Sequence, residues 1–226
     1  MFEKIKNENL TSLSIRKKSR NTVLGCIRDE GLIPRTEISE ITGLTEAAIS
    51  RITRELLEAG LLREVLTGKG EAKKGRGRPL VGLELNDKGA FALGIDMSAI
   101  SQSITLIDLC GKIFSKRELN FTSMKAPLAV LSAAAEEAKR MICISGIPET
   151  LLLGAGVAVA GVVDSNNRVL IKAPNLGWDN VPVADLLEKH LNMPIVVSSR
   201  PGAILMAEHR RGIAKGKNEI ALFLAS

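Results

Sequence analysis

The spacing of apolar residues changes near residue 90, and this change constrains the fold more than any other feature of the sequence. Before it, apolar side chains recur every three or four residues, as in amphipathic helices. From Phe91 onward they alternate with polar ones, as in half-buried strands. The 226 residues are enough for a small domain followed by a medium one. We therefore expect a two-domain α+β protein, helical first and sheet-based second.

The helical part of the sequence predicts three helices. Their ranges are 19–29, 35–41 and 45–59. Gly43 allows the positive φ of a tight turn between the second and the third, and the Thr45 hydroxyl can accept a backbone N–H in the first turn of the third. The side chains expected to face the core are Val23, Leu24, Ile27, Ile38, Ile41, Ile49, Ile52, Leu56 and Leu57.

Two strands are predicted after the third helix, over 61–66 and 79–85, with a glycine- and lysine-rich loop between them. Two helices, a turn, a third helix and then a β-hairpin is the order of elements in a winged helix-turn-helix domain. We therefore assign such a domain to residues 19–88. Residues 1–18 are assigned to an N-terminal extension.

The sheet-based part of the sequence predicts three consecutive strands and then alternating helices and strands. The strands are expected over 92–97, 102–108, 113–120, 151–159, 195–198 and 219–225, and the helices over 127–145, 183–191 and 203–211. This order predicts a mixed α/β sheet of the ribonuclease-H type. Since the chain stops in or just after the last predicted strand, we expect a fragment of a longer protein or a truncated product.

Composition excludes several classes of protein. Cys26, Cys110 and Cys143 are far apart and form no Cys-x-x-Cys pair, so neither a zinc knuckle nor a disulfide framework is supported, and a reducing cytosol is expected. The N-terminus lacks a signal-peptide pattern, and the longest apolar stretch, residues 151–163, is too short to span a bilayer. Only 3% of residues are aromatic, which disfavours stacking on single-stranded nucleic acid. We expect a cytoplasmic protein without a membrane partner.

The third helix carries side chains that can read DNA. In a helix-turn-helix the second helix of the motif enters the major groove, where arginine can donate two hydrogen bonds to guanine and glutamate can accept one from cytosine. The residues expected to contact DNA there are Thr45, Glu46, Ala47, Ser50, Arg51 and Arg54, with Arg35 and Thr36 on phosphates. Double-stranded DNA is therefore the expected partner. The alternative is a three-helix scaffold that binds protein.

Positive charge is concentrated in two places. The net charge is +6, and the two clusters are Arg16, Lys17, Lys18 and Arg20, and then Lys69, Lys73, Lys74, Arg76 and Arg78. Arg76 and Arg78 are flanked by glycines, so their side chains can enter a narrow, negatively charged minor groove. We expect them to do so from the tip of the wing. The alternative is a flexible basic loop.

Several motifs together resemble the ROK family of repressors and sugar kinases, in its transcription-regulator branch. The motifs lie at 35–38, 42–45, 54–60, 75–79, 93–96, 156–164 and 173–178, where the last reads Ala-Pro-Asn-Leu-Gly-Trp. The resemblance runs from about Arg20 to Ser226. It implies that residues 89–226 are the first lobe of an actin-like, hexokinase-like sugar-binding domain. It also implies control of carbohydrate genes, and dimers or tetramers if the full domain is present.

The resemblance also implies a ligand site. A sugar or sugar-phosphate effector is the expected small-molecule partner, with Asn175, Gly177 and Trp178 as candidate contacts. Asn175 and Trp178 line a remnant of the sugar pocket in one interpretation and only shape their loop in the other.

Departures from the kinase pattern argue against catalysis. Family kinases have a phosphate-cradling Gly-Gly-Thr turn where this chain has residues 97–100, Met-Ser-Ala-Ile. They have Asn-Asp where this chain has Ser199 and Arg200, and arginine cannot act as the general base. Ala160 replaces a usual proline, and the zinc motif and sugar-contacting Glu and His residues of the family would lie beyond Ser226. We expect no catalytic residue, no cofactor and no metal site.

Three further residues and two alternative functions complete the sequence-based expectations. Asp96 is interpreted as a remnant of a magnesium site or, with greater weight, as a strand-end aspartate held by backbone groups. His190 and His209 are expected to be neither ligands nor bases. The alternative functions are a ROK-type sugar kinase with an added DNA-binding head, and a non-functional truncated remnant.

Overall fold

The computed structural model describes residues 2–66, 81–99, 101–121, 123 and 125–223. The chain forms two compact units, residues 1–90 and 91–226, which we call the head and the lobe. The elements of the head are α1 (Phe2–Glu30), β1 (Ile33–Pro34), α2 (Arg35–Thr42), α3 (Glu46–Glu58), β2 (Leu62–Leu66), β3 (Val81–Leu85) and a 3₁₀ turn at Asp87–Gly89.

A single apolar core holds the three helices of the head on a small antiparallel sheet of order β1-β3-β2. Its buried members are Val23, Cys26, Ile27, Ile33, Ile38, Ile49, Ile52, Leu56, Leu62 and Leu83. Burial of aliphatic side chains of this size stabilises a fold by roughly 1.5–3 kcal/mol each. The predicted winged helix-turn-helix is therefore confirmed as a fold.

The head differs from the sequence-based expectation in three details. Helix α1 begins at Phe2 rather than at residue 19, because no glycine or proline precedes Gly25 and helix formation continues beyond the buried stripe. Ile41 was expected in the core, but 57% of it is exposed, because it lies in the last turn of α2, where the chain turns away at Gly43. Strand β1 was not predicted, because its two residues are too few to show a periodic pattern.

The lobe contains eight strands and three α-helices within the described ranges. They are β4 (Phe91–Met97), β5 (Gln102–Asp108), β6 (Ile113–Leu119), α4 (Pro127–Ser145), β7 (Leu152–Val159), β8 (Val162–Val163), β9 (Leu170–Ala173), β10 (Trp178–Val181), α5 (Val183–Leu191), β11 (Ile195–Ser199) and α6 (Arg200–Arg211), with a 3₁₀ turn at Glu149–Leu151.

The main sheet of the lobe has the order β11-β7-β4-β5-β6. Strands β4, β5 and β6 are antiparallel neighbours, whereas β7 runs parallel to both β4 and β11. Alternate residues of β4 are buried, and they share one core with apolar residues of α4 and α5. The predicted mixed sheet of ribonuclease-H type is confirmed.

Two parts of the lobe differ from the expectation. A second, antiparallel sheet of order β10-β9-β8 was not predicted, since strands of two to four residues carry too little alternation. The strand predicted over 219–225 is wrong for residues 219–223, which form no strand, and residues 224 and 225 lie outside the described ranges.

The two edges of the main sheet are protected in different ways. At β11 the outward N–H groups of Ile195 and Val197 donate to a Glu188 carboxylate oxygen at 3.2 Å and to the Asn167 carbonyl at 2.8 Å. At β6 the outer strand carries Lys116, Arg117 and Glu118, and its pairing with β5 is broken by a register shift. Charged side chains and irregular pairing both discourage further strands from adding to a sheet.

The three cysteines were expected not to form a disulfide framework. Cys26, Cys110 and Cys143 form no disulfide with one another, and Cys26 is buried. Burial, reinforced by the negative charges of Glu30 and Asp29, raises the pKa of the Cys26 thiol.

In the part of the chain that the structure describes, no helix combines the length and the apolar character needed to cross a membrane.

Candidate functional site

The start of α3 is held by local hydrogen bonds that the sequence pattern predicts. The Thr45 hydroxyl accepts the N–H of Ala48 at 3.3 Å, which caps the helix. Gly43 adopts a φ of 67° at the end of α2 and so allows the tight turn between the helices. The Ser39 hydroxyl donates to the Leu44 carbonyl at 2.6 Å across this turn. The turn at Gly43 and the cap at Thr45 therefore fix the angle between α2 and α3.

One side of α3 is open to solvent and carries all the residues expected to contact bases. Thr45, Glu46, Ala47, Ser50, Arg51 and Arg54 are all exposed. The opposite side is buried through Ile49, Ile52, Thr53 and Leu56. The structure thus brings the six residues together on one accessible surface. Their individual contacts with DNA stay predictions.

The two arginines of this surface differ in their surroundings. Arg51 Nη1 lies 3.8 Å from Glu55 Oε1, and the other oxygen of Glu55 pairs with Arg20 Nη2 at 3.0 Å. Arg54 has no ion pair within the described ranges. One arginine is therefore restrained by its neighbours, whereas the other is available to any anion. Glu55 is not among the residues predicted from the sequence, although its i, i+4 spacing from Arg51 was a usable signal.

Arg35 and Thr36 stand in different environments. The Arg35 guanidinium donates to the Thr53 hydroxyl at 3.2 Å through Nε and to Glu64 Oε1 at 2.7 Å through Nη2. It therefore ties α2 to α3 and to β2, which no local pattern could have predicted. Thr36 is exposed at the start of α2. Contact of either residue with a phosphate stays a prediction.

The predicted minor-groove residues of the wing, Arg76 and Arg78, lie outside the described residues, as do Lys69, Lys73 and Lys74. The strands on either side, β2 and β3, are paired in register from Leu62 opposite Leu85 to Leu66 opposite Val81. The base of the hairpin therefore follows the prediction. The role of its connecting loop remains a sequence-based proposal.

A second candidate site lies where the parallel strands of the lobe end. Strands β11, β7 and β4 are parallel neighbours, so their carboxyl ends meet at one edge of the sheet. Asp96 is the penultimate residue of β4, and Arg200 follows directly after β11. Arg200 Nε lies 3.3 Å from Asp96 Oδ2, and its Nη2 lies 3.5 Å from the Ser101 hydroxyl.

This ion pair corrects the expectation for Asp96. Its carboxylate is held by a guanidinium rather than by backbone groups, and its Oδ1 is buried with no hydrogen-bond partner among the described residues. A fixed positive charge beside the carboxylate opposes binding of a divalent cation there. No group of three or more His, Cys, Asp or Glu side chains in the described part of the chain is arranged to hold a metal ion.

The turn after β4 uses its polar groups internally. The Ser98 hydroxyl donates to the Ser101 carbonyl at 2.7 Å and accepts the Ser101 N–H at 3.0 Å. The Ser98 N–H donates to the same carbonyl at 3.2 Å, and the Gln102 amide donates to the Ser98 carbonyl at 2.6 Å. A phosphate cradle requires free N–H groups aimed at the ligand. In this turn, the N–H groups of Ser98 and Ser101 are already occupied.

The candidate sugar-contacting residues are separated by burial. Asn175 and Gly177 are exposed in the turn between β9 and β10, where Gly177 adopts a φ of 69°. Trp178 is 2% exposed and lies in the core of the lobe. The structure therefore favours the loop-shaping alternative for Trp178. The sequence could not distinguish the two, because a tryptophan suits a pocket wall and a core equally well.

Neither histidine is among the residues that define the two candidate sites, although His209 shares α6 with Arg200. His190 Nε2 is 3.2 Å from the Ser132 hydroxyl, which links α5 to α4. His209 is exposed in the last turn of α6, where a helix end favours basic residues.

Comparison with known proteins identifies both units. A model of the ROK family matches residues 92–224, and a model of winged helix-turn-helix DNA-binding domains matches residues 16–63. Among curated relatives, a xylose repressor of Caldicellulosiruptor bescii is 26% identical over 194 residues, covering 86% of this chain and 48% of the relative. A transcriptional regulator of Mycobacterium tuberculosis is 32% identical over 206 residues, covering 90% of this chain and 45% of the relative.

This chain spans about half the length of the curated relatives that it matches. A solved structure of a ROK family transcriptional regulator, a homolog of the E. coli MLC protein, matches with a TM-score of 0.70 at 24% identity. The match covers 86% of this chain and 48% of that one. It shows the fold, a winged head followed by the first part of a ROK-type domain.

Proposed function

The chain belongs to the ROK family, and on that premise we propose that it is a sequence-specific DNA-binding transcriptional regulator. We propose further that it acts in the cytoplasm as a repressor of carbohydrate-metabolism genes. The observation that carries the proposal is the exposed side of α3, on which every side chain suited to base contacts faces solvent. The names of its relatives, a xylose repressor among them, support the same conclusion.

The exposed side of α3 suits the major groove. Arg51 and Arg54 can each donate two hydrogen bonds to a guanine, and Glu46 can accept one from a cytosine. Ala47 and Ser50 are small enough to let the helix approach the base edges. In this proposal Thr36 contacts a phosphate, whereas Arg35 supports the helix through Thr53 and Glu64 and contacts phosphate only if that tie opens. Arg76 and Arg78 are proposed to enter the flanking minor groove.

We propose that the lobe is not catalytic. A sugar kinase needs a carboxylate to accept the proton of the sugar hydroxyl, and Arg200 occupies the matching position. The nearby carboxylate, Asp96, is neutralised by that same arginine. Two N–H groups of the turn after β4, those of Ser98 and Ser101, are already donated within the turn and so are not free to bind a phosphate.

The lobe is proposed to bind an effector, a sugar or a sugar phosphate, and the exposed turn with Asn175 and Gly177 is the candidate contact. Such a ligand alters repression only if it binds the DNA-competent and the DNA-incompetent states with different affinities. Assembly into a homo-oligomer, and the domain limits 19–88 and 89–226, stay part of this proposal.

Selection from a pool of randomised duplexes with the purified chain tests the DNA-binding proposal. We expect one enriched site, bound about 10³-fold or more tightly than a shuffled duplex of the same composition. Equal affinity for the two duplexes would refute sequence-specific binding. Sugars and sugar phosphates added to the complex then test the effector, because a true effector changes the affinity for the selected site but not for the shuffled one.

Two rival functions have separate tests. A sugar kinase with an added head would bind ATP, which an equilibrium titration of nucleotide detects directly. A non-functional remnant could not fold its lobe, and circular dichroism with size-exclusion chromatography would then show an expanded chain with little strand content. We expect neither ATP binding nor an unfolded lobe.

A further inference from the structure

The carboxylate of Glu55 joins two arginines that belong to different helices. Its Oε2 lies 3.0 Å from Arg20 Nη2 on α1, and its Oε1 lies 3.8 Å from Arg51 Nη1, one turn earlier on α3. Each carboxylate oxygen therefore faces a different guanidinium. The bridge ends on Arg51, one of the two arginines on the exposed side of α3.

Stabilisation of the head is a weak explanation for this bridge. The three side chains are between 39% and 51% exposed, and exposed ion pairs contribute at most about 1 kcal/mol. Within α3 the arginine precedes the glutamate, which is the less favourable order for an i, i+4 pair. The arrangement therefore contributes more to the direction of Arg51 than to the stability of the helix.

We propose that Glu55 is a positioning residue that orients Arg51 for base recognition and so determines part of the DNA specificity of α3. This inference rests on the proposed DNA-binding function. A free arginine side chain samples many rotamers, and contact with a guanine requires its planar fork in a single orientation. Arg20 holds the second oxygen of Glu55, so the carboxylate stays in place instead of following Arg51. The cost of ordering Arg51 is thus reduced before DNA arrives.

The charge of Glu55 has a second effect on the same surface. A carboxylate near the DNA-facing side repels phosphates, so it weakens binding to any sequence and keeps Arg51 from settling on the backbone. Arg54, without an ion pair in the described part of the chain, lacks this restraint. The general repulsion lowers both affinities alike, so Glu55 raises the ratio of specific to non-specific affinity only through Arg51, which it orients and keeps away from phosphates.

The matched variants Glu55→Gln and Glu58→Gln test the proposal on the whole 226-residue chain. Both remove one negative charge from the exposed part of α3, but Glu58 has no ion pair within the described ranges. Affinities are measured for the duplex selected by the wild-type chain and for its shuffled control. For E55Q we expect the specific to non-specific ratio to fall roughly tenfold, within the range for coupled neighbouring side chains. For E58Q we expect it to change by less than about twofold.

The salt dependence gives an independent readout. Once released, Arg51 can contact a phosphate, so the slope of log K against log salt for the shuffled duplex should steepen by up to about one unit in E55Q. Thermal unfolding of both variants shows whether the head stays folded. An E55Q chain with wild-type stability and a wild-type ratio overturns the proposal.

A double-mutant cycle shows whether Glu55 acts through Arg51. In the Arg51→Ala background, Glu55→Gln should leave the ratio almost unchanged, because the side chain that it orients is gone. If the full loss persists in that background, Glu55 acts through charge or fold alone and the positioning role is wrong. Equal binding of both duplexes by the wild-type chain would refute the proposed function itself. Sequence-specific binding by the wild-type chain, with the same affinity ratio in E55Q, would refute only the role of Glu55.

Discussion

Arg200 Nε lies 3.3 Å from Asp96 Oδ2, although the two residues are 104 positions apart in the chain. The pair crosses the carboxyl ends of β11, β7 and β4, which is where α/β sheets of this kind bind their ligands. By the resemblance to family kinases, Arg200 stands where they have a carboxylate, and we propose that its guanidinium takes the place of their general base. This end of the sheet therefore carries an internal ion pair between two distant segments of the lobe.

Removal of the guanidinium should destabilise the lobe. The buried Oδ1 of Asp96 already has no hydrogen-bond partner among the described residues, and Arg200→Ala removes the ion-pair partner of Oδ2 as well. We expect a loss of about 1 kcal/mol in the free energy of unfolding, because both side chains are partly exposed. Denaturant unfolding followed by circular dichroism measures it. Arg210→Ala, an exposed arginine of the same helix without an ion pair in the described part, is the control, and equal stability of the two variants would contradict the prediction.

The chain should have no sugar kinase activity. Detectable transfer of phosphate from ATP to glucose or to N-acetylated hexoses above a blank would show this to be wrong. Arg200→Asp places a carboxylate at the proposed position of the general base but should not produce activity, because the N–H groups of Ser98 and Ser101 are still donated within their own turn. A coupled assay for ADP release on both proteins makes the measurement.

Arg51→Ala and Arg54→Ala should weaken specific binding more than non-specific binding. A lost bidentate contact with a guanine costs about 1–3 kcal/mol, whereas a lost phosphate contact weakens binding to all sequences alike. Fluorescence anisotropy with the selected and the shuffled duplex separates the two effects. Parallel losses on both duplexes would mean that the arginines contact only phosphates, and α3 would then position the head without reading the sequence.

The lobe should lose stability in acid through two carboxylates. Backbone N–H groups of Val169 and Arg168 hold the pKa of Asp164 below its usual 3.8, and the Arg168 side chain, with the Ile195 N–H, lowers the pKa of Glu188 below its usual 4.5. In both cases the unfolded chain binds protons more readily. The stabilisation is therefore complete above the usual values and is lost as the pH falls through the lower, folded values.

Denaturant unfolding at a series of pH values tests this expectation. Between about pH 6 and pH 3 the free energy of unfolding should fall less steeply for Asp164→Asn than for the wild-type chain, because the variant has lost one titrating group. Asp179→Asn, which removes an exposed carboxylate without an ion pair in the described ranges, is the control for the change in charge. Identical slopes for wild type and Asp164→Asn would contradict the assignment.

The sequence predicts those parts of the fold that depend on local pattern. The turn at Gly43, the cap at Thr45 and the stripe of Ile49, Ile52 and Leu56 follow from spacing and from residue type, and the structure confirms them. The start of α6 at Arg200 was missed by three residues, although Pro201 in its first turn and the Ser199 cap were available signals.

The remaining features depend on contacts between distant residues. Arg35 with Glu64 and Arg200 with Asp96 join segments that no periodicity relates. The burial of Trp178 depends on where β10 packs, and the short strands β8 to β10 exist only because they pair with one another. Local pattern therefore predicts the exposed side of α3, whereas tertiary contacts determine which of its arginines form ion pairs.

The protected edges of the main sheet limit how copies of this chain can associate. Open strand edges are templates for intermolecular pairing, the first step towards aggregates with cross-β order. Here the outward N–H groups of Ile195 and Val197 already have acceptors, and the other edge presents charges at Lys116, Arg117 and Glu118. Edge-to-edge pairing into fibrils is thereby discouraged at both β11 and β6. Contacts between copies of this chain are therefore expected to avoid these two strand edges.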